Sequence, residues 1–214
     1  MTLPTSGLIT INDRGARAAT TFGSVAAVGG NMVFIKKLTA SSSGTLSFVD
    51  GASSVVLDNT YKEYVFTFKD MHPASQSKFS FNGSIDSGSN YNVTKTSTIF
   101  VAAHNEGDGD TALTYRTADD LAQGTGFQNF LSYGDNGTDN DQCLAGSLHL
   151  FNPSSTTFVK HFIARTNSYD NSDNYSIDSY VAGYFNTTSA IDAMQFKFST
   201  GNIDAGDICL YGIL

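Results

Sequence analysis

The sequence predicts an all-β protein: an antiparallel β-sandwich, jelly-roll-like, with an extended N-terminal arm. Three observations carry this. Apolar and polar side chains alternate over many short runs, the period of a strand with one buried and one wetter face. Gly is plentiful at 20 residues, and Ser, Thr, Asn and Asp crowd the gaps between the runs, a composition suited to tight turns. Hydrophobic residues make up 40% of the chain and aromatics 12%, all Phe and Tyr with no Trp, which is enough to build a core.

The 214 residues suit one domain, or one domain plus an arm. Residues 1–30 differ from the rest. Leu8-Ile9-Thr10-Ile11 alternates like one short strand, and a tract of small residues follows from Gly15 to Gly30, with Arg14 and Arg17 beside its start. This segment lacks the bulk to pack a core alone, so it is expected to dock or assemble, on its own body or on a neighbouring subunit. The β-sandwich domain is expected over 31–214.

From Asn31 onward the period-two signal dominates. Strands are expected at Val33–Leu38, Thr45–Val49, Tyr64–Lys69, Phe79–Asn82, Ser97–Ala103, Ser147–Leu150, Phe158–Arg165, Ser179–Phe185, Met194–Ser199 and Ile208–Ile213. Asp50-Gly51, Asn82-Gly83, Asn136-Gly137 and Gly201-Asn202 read as turns between them. The best helical stretch is short, Thr117–Ala122, where Asp119 or Asp120 favours a first turn. Gly124 to Asp141 reads as a long irregular loop, a common place for contact surfaces on a sandwich.

The formal net charge of -8 with few Lys and Arg disfavours nucleic acid as a partner. No stretch is long and apolar enough to span a bilayer, so no membrane partner is expected. Met1–Asp13 lacks the basic and apolar regions of a secretory signal. The N-x-S/T triplets at Asn82, Asn92 and Asn186 are therefore read as chance. Cys143 and Cys209 stand far apart outside any metal-binding spacing and read as two separate half-buried thiols, although spacing alone does not decide against a disulfide.

The chemistry-bearing motifs point away from catalysis. His104-Asn105-Glu106 matches half of a zinc-deaminase signature, but the P-C-x-x-C half is absent. His72, His104, His149 and His161 show no metal-ligand spacing; His149 and His161 are expected on adjacent strands. Asp108 and Asp110, and then Asp135, Asp139 and Asp141, sit on Gly-containing loops that could wrap a hard cation, yet neither loop completes a calcium-binding pattern. Both read as solvated acidic turns. Adjacent Asp119-Asp120 does not supply two carboxylates facing each other across a cleft. No catalytic, cofactor-binding or metal residues are assigned, and no enzyme activity is expected. The best ligand-facing candidate is the loop Tyr169-Asp170-Asn171-Ser172-Asp173-Asn174-Tyr175. Tyr169, Asp170, Asp173 and Tyr175 offer aromatic plates and carboxylates for a glycan, or the ordinary residues of a hairpin tip.

Three stretches carry a resemblance. The opening Leu3-Pro4-Thr5-Ser6-Gly7-Leu8-Ile9-Thr10-Ile11-Asn12-Asp13, the middle segment from Leu38 to Gly51 and the close from Ser199 to Ile213 resemble virion structural proteins of tailed, marine-type bacteriophages. The small-residue tract after Asp13 departs from that pattern, lacking the amphipathic stretch that often follows such an opening. The resemblance implies a non-enzymatic virion protein, a tail or tail-fibre component that assembles through its arm and displays its sandwich. The alternatives are a capsid decoration protein on the head surface, or a carbohydrate-binding module for host attachment. The implied partners are other virion proteins, copies of itself as a homo-oligomer (a trimer, by analogy) and a host surface glycan. The implied location is the virion, assembled in the host cytoplasm.

Overall fold

A computed structural model describes residues 31–171 and 174–214. The arm, Met1–Gly30, and Asp173 of the candidate loop lie outside the described residues. The alternating runs form twelve strands and no helix among the described residues. These are β1 (Met32–Thr39), β2 (Leu46–Val49), β3 (Glu63–Pro73), β4 (Phe79–Ser84), β5 (Lys95–Asn105), β6 (Thr111–Tyr115), β7 (Gln128–Asn129), β8 (Leu144–Phe151), β9 (Lys160–Tyr169), β10 (Tyr175–Phe185), β11 (Ala193–Phe198) and β12 (Ile203–Ile213).

The strands make two antiparallel sheets, one of eight strands in the order β1-β12-β3-β8-β9-β10-β5-β6 and one of four in the order β2-β11-β4-β7. Pairing is nested. The last strand, β12, lies between β1 and β3, and β11 lies between β2 and β4. Asn31–Leu214 packs as one unit.

The core lies between the inner faces of the sheets. From the larger sheet come Phe66, Phe68, Leu148, Leu150, Phe162, Val181, Ile208 and Leu210. From the smaller come Phe48, Phe79, Phe81 and Phe196. Aromatic contacts dominate it: Phe196 meets Phe66 at 5.1 Å and Phe68 at 5.4 Å between ring centroids. A satellite cluster of Val101, Ala103, Leu131, Tyr175 and Ile177 fills the far end of β5 and β10.

The two sheets treat their outer faces differently. Strand β4 is buried at every position, because loops cover its second face. Asn82, fully buried, donates from Nδ2 to the carbonyls of Tyr91 (2.7 Å), Thr125 (3.0 Å) and Gly126 (3.3 Å). Asn82-Gly83, expected as a turn, is therefore strand interior; the Asn holds loops rather than reversing the chain. The outer face of the larger sheet keeps the alternation of a half-exposed surface, most regularly in β9.

A further expectation is corrected. Thr117–Ala122 is a turn followed by irregular chain, not a helix. The Asp119 side chain is drawn inward, accepting hydrogen bonds from Lys78 (2.9 Å), Asn129 (2.9 Å) and Ser132 (2.5 Å), so its bonding runs across the fold instead of along a helix. The stretch from Gly124 to Asp141 is irregular apart from the two-residue β7, and it is pinned: β7 pairs with β4, and Phe130 and Leu131 are fully buried.

Two lysines also lie inside. Lys95 and Lys160 both stand opposite Phe185 in the sheet register, and both are fully buried. Lys95 Nζ donates to the carbonyls of Val93 (3.1 Å) and Gly126 (2.6 Å), and Lys160 Nζ to that of Thr187 (3.1 Å). Burial lowers the pKa of both, that of Lys95 to about 7.

Candidate functional site

The loop between β9 and β10 uses most of its chemistry internally. Asp170 is buried, its backbone N–H donating to the Tyr175 carbonyl and its carboxylate accepting from the Tyr175 N–H. Tyr175 is buried in the satellite cluster, with its ring edge-on to Tyr133 at 5.6 Å and its hydroxyl donating to Asp110 at 2.6 Å. A ring held this way cannot lie flat beneath a sugar. Tyr169 is the half-buried one, its hydroxyl donating to Asn174 at 2.9 Å. The structure thus brings Tyr169, Asp170 and Tyr175 together as a hairpin tip. Tyr175→Phe is expected to destabilise the fold by about 1–2 kcal/mol through loss of its bond to a carboxylate. Tyr169→Phe is expected to stay within about 0.5 kcal/mol. Urea denaturation of the two variants checks both.

The acidic turn after β5 is similarly knit together. Asn105 Oδ1 accepts from the N–H groups of Gly109 and Asp110, and Asp108 lies 3.1 Å from His104. Among the described residues no three metal-ligating side chains gather. His149 and His161 do stand on paired strands, but His149 faces Ile163 across the register and bonds Glu63 at 2.6 Å. Cys143 and Cys209 are free and half-buried.

A second candidate is the outer face of the larger sheet over β9, β10, β5 and β6, which carries the exposed Phe100, Leu113, Tyr115 and Ile163. Register places Arg165, Tyr180, Phe100 and Tyr115 side by side on successive strands. Phe100 and Tyr180 stack in parallel at 4.7 Å, and the Arg165 guanidinium sits over the Tyr180 ring at 5.0 Å. Arg165 also grips Asp178 through Nε (3.0 Å) and Nη2 (2.7 Å). That grip holds the Asp178 carboxyl below its ordinary pKa. The result is a ridge running across the strands.

A trough lies on each side of this ridge. The first, of about 420 Å³, is floored by Ala182, Gly183 and Thr98 and walled by Ile163 and Tyr184. A side chain at Gly183 would collide with the Thr96 carbonyl, so only glycine lets the strands close there. The second, also about 420 Å³, runs past Ala145, Gly146 and Asn167 and is edged by the paired Arg165 and Asp178. Around the ridge Leu113 is 77% exposed, Ile163 54%, Tyr115 49% and Phe100 41%. Exposed apolar groups gathered on one sheet face mark a contact surface, whereas scattered ones are ordinary.

Charges on this sheet face pair off within it: Arg165 with Asp178, Lys37 with Asp207 at 3.1 Å, and Glu63 with His149. None of the ridge residues Arg165, Tyr180, Phe100 and Tyr115 was singled out from the sequence. The signal was present: Ile99-Phe100-Val101, Phe162-Ile163-Ala164 and Tyr180-Val181-Ala182 carry apolar residues in both phases of the alternation, the mark of a strand with two apolar faces.

No protein-family model matches the chain, and neither the curated proteins nor the solved structures contain a match to it.

Proposed function

We propose that this chain is a non-enzymatic virion structural protein of a tailed bacteriophage, a tail or tail-fibre component, whose sandwich assembles side by side with neighbouring subunits. The nested pairing of β1, β2, β3 and β4 with β12 and β11 is read as a jelly roll in which β5, β6, β9 and β10 widen one sheet into a wall. One observation carries the structural role: the outer face of that wall is aromatic, pre-ordered and balanced in charge, the properties of a surface made to be covered. The closed hydrogen bonding around Asp119 and within the β9–β10 tip favours support over chemistry. The phage setting rests on the sequence resemblance, and Met1–Gly30 is proposed as a second docking element.

Antibody labelling of intact particles tests the location. Label on the tail is expected; label confined to the head makes the protein a capsid decoration protein; its absence from purified particles overturns the reading. Deleting Met1–Gly30 is expected to abolish incorporation while leaving the body folded, and unchanged incorporation removes the arm from the account.

A further inference from the structure

We propose that the occupant of the wall between β8 and β6 is a second copy of this chain, seated ridge into trough about a two-fold axis. The inference rests on reading this face as an assembly surface, and not on the virion setting.

Charge is the first argument. The chain carries a formal net charge of -8, so two copies repel over most of their surfaces. On the outward positions of β9, β10, β5 and β6 the fixed charges are Arg165 and Asp178, locked to each other at 2.7 Å. A copy can approach another here without bringing acid against acid. The acids at the margin are Asp120, bonded by Tyr115 at 2.6 Å, Asp108, beside His104 at 3.1 Å, Asp110, bonded by Tyr175 at 2.6 Å, and the exposed Glu106; none of the four belongs to the ridge or lines either trough.

Polarity is the second argument. A glycan needs hydrogen-bonding groups to spare. Here Arg165 is spent on Asp178, the Tyr180 hydroxyl donates to Asp178 at 3.2 Å, and Asn167 Nδ2 donates to Ser176 at 3.0 Å and to the Ile177 carbonyl at 3.2 Å. Beyond these groups the first trough adds Thr96, Thr98, His161 and Tyr184 to Ile163 and Ala182; ring and aliphatic surface predominates there, which suits an apolar protein face.

Shape and size are the third. A ridge flanked by troughs is self-complementary, because a two-fold axis sets each copy's ridge in the other's trough, and this isologous contact closes on itself. Five strands spaced about 4.8 Å apart and roughly 30 Å long cover on the order of 700 Å². A stable interface uses about 800 Å² per partner.

Sedimentation velocity of the purified full chain over a concentration series tests this, with Ile163→Lys and Leu113→Lys as variants. Both positions are exposed, so unchanged thermal unfolding at low concentration confirms that the fold is kept. The expected result is a concentration-dependent dimer for the wild type and at least a tenfold weaker association for each variant. A wild type that stays monomeric throughout overturns the proposal. So does association unaltered by both substitutions, which would move the contact to Met1–Gly30 or another face. A monomer that binds glycan through this face also overturns it. None of these outcomes depends on where the protein sits in a particle, and particle labelling does not depend on them.

Discussion

Lys95→Met should stabilise the protein at pH 6 by several kcal/mol, with the gain shrinking steadily as pH rises toward 10.5. In the folded chain Lys95 is fully buried and its amine reaches two backbone carbonyls. Burial lowers its pKa from 10.5 to about 7. Between those values the unfolded chain holds a proton that the folded chain does not, so stability rises with pH across that window. Below pH 7 both states are protonated and the full cost of a buried ammonium is present. Linkage puts that cost at up to about 5 kcal/mol. Met is unbranched, one atom shorter and uncharged, at the expense of leaving two carbonyls without this donor. Lys160, also lowered by burial, pushes stability in the same direction with pH. The difference between wild type and Lys95→Met, read from urea midpoints at pH 6, 8 and 10, isolates Lys95. A difference that stays flat across the three would show that Lys95 does not titrate in this way.

Phe196→Ala should cost about 3–5 kcal/mol, the range for emptying a large buried site that cannot collapse. Phe196 is fully buried on β11, and its ring lies 5.1 to 6.5 Å from the rings of Phe66, Phe68, Phe48, Phe79 and Phe130. These rings come from both sheets and from the chain after β7, so one truncation loosens every layer that meets at the core. Stability of a domain this size is typically about 5–15 kcal/mol, so the loss is a large share of it. The β11 strand is in the four-stranded sheet, away from the open wall. Any Phe196→Ala protein that remains folded should therefore associate like the wild type. Equilibrium denaturation gives the first quantity and sedimentation the second.

Strand positions were legible where one phase of the alternation was apolar and the other polar, as in Phe79–Asn82 and Met194–Ser199. The signal failed where burial came from loops instead of from the opposite sheet. Asn82 looked like a turn residue, yet its amide organises three carbonyls around a covered strand. Strand β6 was missed because four of its five residues are exposed, which leaves no inward-facing apolar run to read. Strand β7 was missed because two residues carry no period. The candidate loop was legible as a polar tip, but the inward turn of Tyr175 was not, since it depends on Tyr133 and Asp110 from distant parts of the chain. The ridge is likewise a product of register. Arg165, Tyr180 and Phe100 become neighbours only once β9, β10 and β5 are aligned, and pairing partners over such separations are not written in local composition.

Oxidative footprinting of the full chain, from dilute to concentrated solution, tests most directly that the wall is a surface made to be covered. Phe100, Leu113, Tyr115 and Ile163 should lose reactivity together as concentration rises, while Ile85, exposed beyond the end of β4 in the other sheet, stays constant. Reactivity of all five residues that does not change with concentration, or protection that falls on Ile85 instead, would contradict the account.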